Sequence, residues 1–427
     1  MRLTDAEQAM LDGREGPAKQ KAMDLLVRYG EALGAERLVD TNNVCTTVGA
    51  STPFLRDFAA KAGGLDAVFS EFNLDSPEAV KIPHAKAFTC QLIQGLDPDH
   101  WQEQGVSPEV HALHGRNEAF SADIGIQMLN TCTPYQVGNV PVKGEHCAWM
   151  ESSAVVYCNS VLGARTNTEG RESTGAAMLT GKIPDWGLHR AENRFGSHVV
   201  EVELDVESIM DWGLLGYHLG EVVQEGVPVL KRQGRVPDLS RLKHFGAAAA
   251  TSGGVEMYHI PGVTPEADSV AGALGGRRPQ ATLKYGAAER ARAYAELNAN
   301  AKDTKVDFVM LGCPHSSLEQ VWHACKLLEG KRIHANSHLW IFAPRAIREV
   351  ADRNRYTRII TDAGARLMSD TCPALGQVMP PGVRVAATDS AKQSHYLPSI
   401  MGVQTWFGST EDCIQAAITG RWQGELR

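Results

Sequence analysis

The last third of the chain alternates between short apolar runs and helix-forming segments, and this alternation constrains the fold more than any other feature. Three runs are predicted as strands and three segments as helices: residues 306–311, 332–338 and 384–388, and residues 317–329, 344–354 and 410–419. Strands that alternate with helices in this way form a parallel sheet, because each helix returns the chain to the same end of the sheet. The sequence therefore predicts an α/β fold.

Earlier segments are harder to assign from pattern. Residues 153–160 form an apolar, β-rich run and are predicted as a strand, whereas the glycine-rich residues 213–220 are predicted as a loop. At 427 residues the chain exceeds what one hydrophobic core usually serves, so we expect two or three subdomains.

Charge and cysteine usage exclude several classes of protein. A net charge of -8 offers no cationic surface for nucleic acid or an anionic membrane. The N-terminus lacks the apolar core of a signal peptide, and no stretch has the apolar length of a membrane span, so we expect a cytoplasmic protein. Nine scattered cysteines in such a chain should be reduced thiols.

Three of these cysteines share a local context. Cys132, Cys313 and Cys372 each follow Gly or Thr and precede Pro within two residues, so each thiol sits in a turn stiffened by a proline ring. Two of these turns follow apolar runs predicted as buried strands, residues 306–311 and residues 365–368, and the ends of parallel strands are where α/β sheets gather ligands. Three thiolates could hold an iron–sulfur cluster with one iron open to substrate. Alternatives are three ordinary core cysteines, or one metal ion bound by Cys313, His315 and another ligand.

Polar side chains also gather in two places where apolar runs begin or end. Glu151, Ser152 and Ser153 precede the run at 153–160, and Ser390 and Lys392 follow the predicted strand at 384–388. A helix cap and a solvated loop are the structural explanations. A substrate carboxylate would favour the cation and the hydroxyl donors instead. No phosphate loop or dinucleotide fingerprint is present.

Taken together, these motifs resemble a known family. The chain is similar to the catalytic large subunit of the aconitase X family in five segments: residues 130–135, 151–154 with 159–167, 312–315, 370–373 and 392–396. The resemblance implies an α/β fold with an aconitase-like arrangement of three α/β subdomains around a central cluster-binding crevice, without the swivelling domain. We place the subdomains at residues 1–130, 131–303 and 304–427.

The resemblance also implies an activity and partners. It implies an iron–sulfur hydro-lyase, active as a heterodimer with a small swivelling-domain subunit that supplies a serine base. Family substrates are cis-3-hydroxy-L-proline, dehydrated to Δ1-pyrroline-2-carboxylate, and mevalonate 5-phosphate. The polar loop at residues 42–51, and the lack of an evident cluster of Arg and Lys, favour the amino acid.

Each candidate residue receives an expected role from this resemblance. Cys132, Cys313 and Cys372 would ligate the cluster, whose nuclearity stays open. Glu151, His315 and Lys392 are expected to be catalytic. The residues expected to bind substrate are Asn43, Ser152, Ser153, Arg165, Asn167, Ser390 and Lys392.

Overall fold

The computed structural model describes residues 1–47, 71–72, 74 and 80–427 of the chain. Three parallel sheets organise these residues, and two short antiparallel pairs of strands accompany them. Helices cover the parallel sheets, as the buried faces of such sheets require. No helix within the described part has the length and apolar composition needed to span a lipid bilayer.

The first part contains a four-stranded parallel sheet. Its elements are α1 (Asp5–Leu11), α2 (Pro17–Ala32), β1 (Leu38–Asp40), β2 (Asn43–Thr46), β3 (Glu71–Phe72), β4 (Val80–Lys81), β5 (Phe88–Gln91), α3 (Pro108–Asp123), β6 (Ile126–Gln127), β7 (Ala148–Trp149), α4 (Ser152–Tyr157), α5 (Arg171–Thr180) and β8 (Lys182–Pro184). The parallel sheet has the order β6-β5-β2-β7, while β1 pairs with β8 and β3 with β4 in antiparallel fashion.

The second part is built on a three-stranded parallel sheet of order β10-β9-β11. Its elements are β9 (His198–Val202), α6 (Ile209–Val223), β10 (Pro228–Lys231), α7 (Leu239–Gly253), α8 (Val270–Ala273), β11 (Ala281–Tyr285) and α9 (Ala287–Leu297). The apolar core between this sheet and its helices includes Trp212, Phe245 and Tyr258.

The loop predicted at residues 213–220 is wrong, because these residues lie inside α6. Their glycines allow α6 and α7 to approach closely. A Cβ atom on Gly216 would lie 2.3 Å from the carbonyl oxygen of Phe245, and one on Gly220 would lie 2.4 Å from that of Ala249. The contact between two helices thus outweighs the weak intrinsic helix propensity of glycine.

The third part confirms the predicted alternation of strands and helices. Its elements are β12 (Phe308–Leu311), α10 (Leu318–Leu328), β13 (His338–Ala343), α11 (Arg345–Arg353), α12 (Tyr356–Asp362), β14 (Arg366–Ser369), α13 (Pro373–Gly376), β15 (Val385–Thr388), α14 (Ala391–Met401), β16 (Gln404–Phe407) and α15 (Thr410–Thr419). They form a five-stranded parallel sheet of order β14-β13-β12-β15-β16. The strand predicted at residues 332–338 begins only at His338, where the buried run starts.

The strand predicted at residues 153–160 is also wrong. This segment forms α4 and continues into one turn of π-helix, Cys158–Leu162. The Glu151 carboxylate accepts the backbone N–H of Ala154 and caps the first turn. Because the segment is buried on all sides, its apolar residues show no helical period, and a buried strand and a buried helix then look alike in sequence.

The first and third sheets are joined close to the carboxyl ends of their strands. The backbone N–H of Gln94, just beyond β5, donates to the carbonyl oxygen of Asp370, just beyond β14, at 2.6 Å. Gln94 also forms an isolated parallel bridge with Thr371. The loops that follow β5 and β14 therefore meet.

Candidate active site

A cavity of about 430 Å³ lies where these loops meet. Its walls come from residues that follow the carboxyl ends of β2, β5, β6 and β7 in the first sheet and of β12, β14 and β15 in the third. Eight of the residues singled out in the sequence line it: Cys132, Glu151, Ser152, Ser153, Cys313, His315, Cys372 and Lys392. The ends of parallel strands have thus collected them from three distant parts of the chain.

The three cysteines are buried, and each sulfur accepts one N–H hydrogen bond. The donors are the backbone N–H of His315 to Cys132 Sγ at 3.3 Å, Gln393 Nε2 to Cys313 Sγ at 3.1 Å, and the backbone N–H of Leu375 to Cys372 Sγ at 3.4 Å. Sulfurs that ligate iron–sulfur clusters receive such bonds, which also tune the reduction potential of the cluster. The three sulfurs and their hydrogen bonds therefore fit an iron–sulfur cluster.

Glycine 312 shapes the turn that carries Cys313. Its backbone has φ +93°, and a Cβ atom would lie 2.2 Å from the carbonyl oxygen of Phe342. No other residue fits this turn without moving β13. Cys372 begins α13, where its sulfur caps the first turn.

Burial controls the protonation of these thiols. It raises the pKa of Cys132 well above the ordinary value, also raises that of Cys313, and raises that of Cys372 to about 12. Metal binding would displace these protons. Among the described residues, no three His, Cys, Asp or Glu side chains are grouped so that they could hold a metal ion. The three sulfurs therefore line the cavity without meeting at one point, and a polynuclear cluster would span more space than a single ion.

Glu151 and Lys392 form a partly buried ion pair on the cavity wall. Lys392 Nζ also lies 3.4 Å from Ser152 Oγ, and Ser153 Oγ donates to the Glu151 carboxylate at 2.6 Å. Burial opposes ionisation of both groups. The Lys392 ammonium nevertheless lowers the pKa of Glu151, and the Glu151 carboxylate raises that of Lys392. Both side chains are therefore charged.

His315 is fully buried beside the cysteines. Its ring contacts Thr131 through Nδ1 and the carbonyl oxygen of Thr371 through Nε2, both at 2.9 Å. Burial lowers the pKa of this histidine to about 4. The ring is therefore neutral near pH 7.

Four of the expected substrate-binding residues lie outside the lining of this cavity. Asn43 accepts the indole N–H of Trp149 at 2.8 Å, and Arg165 donates to the carbonyl oxygen of His189 at 2.7 Å. Asn167 accepts the backbone N–H of Leu188, and Ser390 caps α14 by accepting the backbone N–H of Gln393. These contacts position the walls around the site, and direct binding of substrate by these four residues stays a prediction. The polar loop predicted at residues 42–51 is wrong in its first half, where Asn43–Thr46 form the buried strand β2, and its part beyond Thr47 lies outside the described residues.

Two further side chains at the site were not selected in the sequence. Gln393 lines the cavity, adjacent to Lys392, and its proximity to that lysine was an available signal. Lys243, in α7, is buried and donates to the carbonyl oxygen of His315 at 2.8 Å. Nothing in its local sequence, which belongs to the second part of the chain, indicates this contact.

Comparison with known proteins decides the family. Models of the first, second and third domains of aconitase X match residues 1–192, 196–295 and 306–419. The chain belongs to the aconitase X family. This confirms the resemblance described from the motifs.

Relatives within the aconitase X family carry two different names. The chain is 37% identical to the phosphomevalonate dehydratase large subunit of Methanothermobacter thermautotrophicus over 94% of its length and 95% of that protein. It is 35% identical to cis-3-hydroxy-L-proline dehydratase of Pseudomonas aeruginosa over 98% of its length and 70% of that protein. Both are dehydratases, and this chain is a hydro-lyase of the same family.

A solved aconitase X structure has the same fold. The holo form from Thermococcus kodakaraensis superposes with a TM-score of 0.79 at 31% identity, over 98% of this chain and all of that one. The predicted aconitase-like α/β fold is therefore confirmed. The subdomain boundaries at residues 130 and 303 stay predictions.

Proposed function

We propose that this protein dehydrates cis-3-hydroxy-L-proline to Δ1-pyrroline-2-carboxylate. An iron–sulfur cluster held by Cys132, Cys313 and Cys372, and a small partner subunit, complete the site. The donor set supports the cluster, because three buried sulfurs line one cavity and each accepts an N–H bond. When bound, such a cluster supplies a Lewis acid that makes the substrate hydroxyl a better leaving group.

The charged side chains in the cavity support hydroxyproline as the substrate. Among the described residues that line it, Lys392 is the one Lys or Arg, and Glu151 pairs with it. Hydroxyproline is a zwitterion, so its carboxylate matches the cation and its ring ammonium matches the carboxylate. A phosphorylated hydroxy acid carries about three negative charges near neutrality, which one neutralised lysine opposes poorly.

Gln393 supports the same choice. Its amide nitrogen donates to Cys313 Sγ, while its buried Oε1 has no hydrogen-bond partner in the structure. A buried acceptor without a donor is unfavourable by about 1–3 kcal/mol. The ring ammonium of hydroxyproline offers two N–H donors, and a phosphorylated hydroxy acid lacks an N–H altogether.

These residues would act on the substrate in distinct ways. Lys392 would bind the carboxylate and stabilise the negative charge that develops there as the C2 proton leaves. Gln393 and Glu151 would accept from the ring nitrogen and fix the face that the ring presents. Leu92, Ile93 and Met150 would cover the ring carbons and exclude water.

The partner would cover the open mouth of the cavity. Leu375 and Ile400 line the cavity and are 42% and 41% exposed, which is unusual for large apolar side chains at an active site. The relative from Methanothermobacter is named a large subunit. We therefore propose a heterodimer whose small subunit packs on these two residues and supplies the base.

Phosphomevalonate dehydratase is the second candidate. Identity to the Methanothermobacter protein is slightly higher, and the two chains align over nearly their full lengths.

One experiment separates these functions. The chain is co-expressed with its small subunit, purified without oxygen, and supplied in parallel with cis-3-hydroxy-L-proline and mevalonate 5-phosphate. We expect iron with acid-labile sulfide and a visible absorption band. We also expect the kcat/KM for cis-3-hydroxy-L-proline to be at least about 100-fold higher than that for mevalonate 5-phosphate. A preference for the phosphate would overturn the substrate. Zinc without sulfide would overturn the cluster.

A further inference from the structure

We infer that His315 holds the three cysteine loops, which carry Cys132, Cys313 and Cys372, together by hydrogen bonds and does not carry protons in the reaction. This inference rests on the proposed role of the cysteines as cluster ligands. His315 lies two residues beyond Cys313, so the chain itself ties it to the first loop. Its backbone N–H donates to Cys132 Sγ at 3.3 Å, which ties it to the second.

The imidazole ring connects the second loop to the third. Nε2 lies 2.9 Å from the carbonyl oxygen of Thr371, the residue before Cys372. A carbonyl oxygen can only accept, so Nε2 must carry the hydrogen. Nδ1 is then the acceptor in the neutral ring, and it receives the hydroxyl hydrogen of Thr131, the residue before Cys132, at 2.9 Å.

The hydroxyl of Thr131 is compatible with this assignment. It accepts the backbone N–H of Thr133 at 3.0 Å and lies 3.1 Å from the hydroxyl of Thr133. Its two acceptor positions therefore face the loop of Cys132, and its single hydrogen remains for His315.

The carbonyl oxygen of His315 completes the arrangement. It accepts Gln136 Nε2 at 3.1 Å and Lys243 Nζ at 2.8 Å. Lys243 belongs to α7, so the second part of the chain is tied to the same point. The backbone N–H, the backbone carbonyl and both ring nitrogens of His315 thus all have partners.

A proton carrier needs a ring nitrogen that reaches substrate or water. Here both nitrogens are bonded to neighbouring loops, and the residue is 0% exposed. The geometry is that of a positioning residue.

The test uses His315→Phe, which keeps a ring of similar size without hydrogen bonds, and Thr131→Val, which leaves the histidine in place but removes its bond to Thr131 together with the two contacts between Thr131 and Thr133. His259→Phe is the matched control, since His259 is equally buried and bonds the carbonyl oxygen of Arg194 away from the cysteine loops. Hydrogen–deuterium exchange is followed by mass spectrometry in the peptides that cover residues 130–137 and 370–376. The cluster-loaded heterodimer and its metal-free form are both measured.

We expect about tenfold faster exchange in both peptides for His315→Phe, in the first peptide for Thr131→Val, and in neither for the control. A chelator should also remove iron about tenfold faster from the first two variants. Unchanged exchange and iron release, with a lowered kcat and a shifted pH profile, would overturn the inference and make His315 a proton carrier. If His315→Phe does not fold, His315→Leu, which also lacks side-chain hydrogen bonds, replaces it, and exchange in the peptide at residues 370–376 decides.

The exchange measurement does not depend on a bound cluster. A wild-type heterodimer that takes up no iron would refute the proposed cluster, while exchange in the metal-free form would still show whether His315 holds the loops. Iron in the wild type with unaltered loops in the variants would refute the fastening role alone.

Discussion

Glu151 and Lys392 lie 241 residues apart in the sequence and form a partly buried ion pair at the active-site cavity. Glu151 caps α4 in the first part of the chain, and Lys392 lies in the first turn of α14 in the third. The pair therefore joins the two sheets at the place where substrate is proposed to bind. Its side chains are 14% and 16% exposed, so water screens their attraction only weakly.

Replacing Lys392 by Met should abolish activity and destabilise the protein. Loss of the ammonium removes the proposed carboxylate anchor, and we expect kcat/KM to fall by about 100-fold or more. The buried carboxylate of Glu151 is left unpaired, so stability should fall by about 3 kcal/mol. The double variant Glu151→Gln, Lys392→Met should regain most of the stability and none of the activity. Denaturant unfolding and steady-state kinetics measure both effects.

Lys231→Met serves as the matched control. Lys231 pairs with Glu201 on the surface, where its side chain is 62% exposed, so its loss should change stability by less than about 1 kcal/mol and leave kcat/KM unaltered. Near-normal turnover by Lys392→Met would contradict the anchoring role.

Serine at each of the three site cysteines should prevent stable cluster binding. A hydroxyl is a poor iron ligand compared with a thiolate, so Cys132→Ser, Cys313→Ser and Cys372→Ser should each retain less than about one-tenth of the wild-type iron and sulfide. Cys325→Ser is the control, because Cys325 is buried in α10 within the core of the third part. Iron, sulfide and the visible spectrum of anaerobically reconstituted protein are measured. Equal iron loss in the control would indicate general misfolding.

A charge at the mouth of the cavity should weaken binding of the small subunit. Leu375→Asp and Ile400→Asp would each bury a carboxylate in the proposed interface, and we expect the dissociation constant to rise by about 10- to 100-fold. Val236 is an apolar residue outside the cavity and is 75% exposed, so Val236→Asp should leave the dissociation constant unchanged. Titration of the small subunit by calorimetry gives these values, and equal affinity in all three variants would place the partner on another surface.

Glu169 should make the stability of the first part depend on pH. Burial raises the pKa of this carboxyl to about 7 from 4.5, despite hydrogen bonds that include one from the Tyr29 hydroxyl. Between these values the folded state holds a proton that the unfolded state has released, so stability falls as pH rises from about 4.5 to about 7.

Glu169→Gln should remove that slope. At pH 8 the variant should exceed the wild type by roughly 3 kcal/mol, and at pH 4.5 the two should be alike. Glu225→Gln, on the surface, is the control and should follow the wild type. Thermal unfolding across the pH range measures the difference. Parallel curves for Glu169→Gln and the wild type would contradict the assigned pKa.

Local sequence was sufficient for most of the alternation in the third part of the fold. The segments predicted for β12, α10, α11, β15 and α15 match the structure, because each is a short buried run or a helix with one apolar stripe. The strand predicted at residues 332–338 shares only His338 with β13. The failures at residues 153–160 and 213–220 have one cause. Both segments are buried on all sides, and a helix without a solvent-exposed face has no period that distinguishes it from a strand or a loop.

Motifs in the chain were enough to identify the family, the α/β fold and the residues able to do chemistry, because proline-braced cysteines and clustered polar side chains are visible without a structure. Which of these residues share a cavity became clear from the packing of the sheets. Packing placed Lys392 beside Glu151 and bonded Arg165 to the carbonyl oxygen of His189. It also brought Lys243 and Gln393 into contact with the cysteine loops. The reason is that these contacts join segments dozens to hundreds of residues apart, and sheet register and packing, not local sequence, set which strand ends meet.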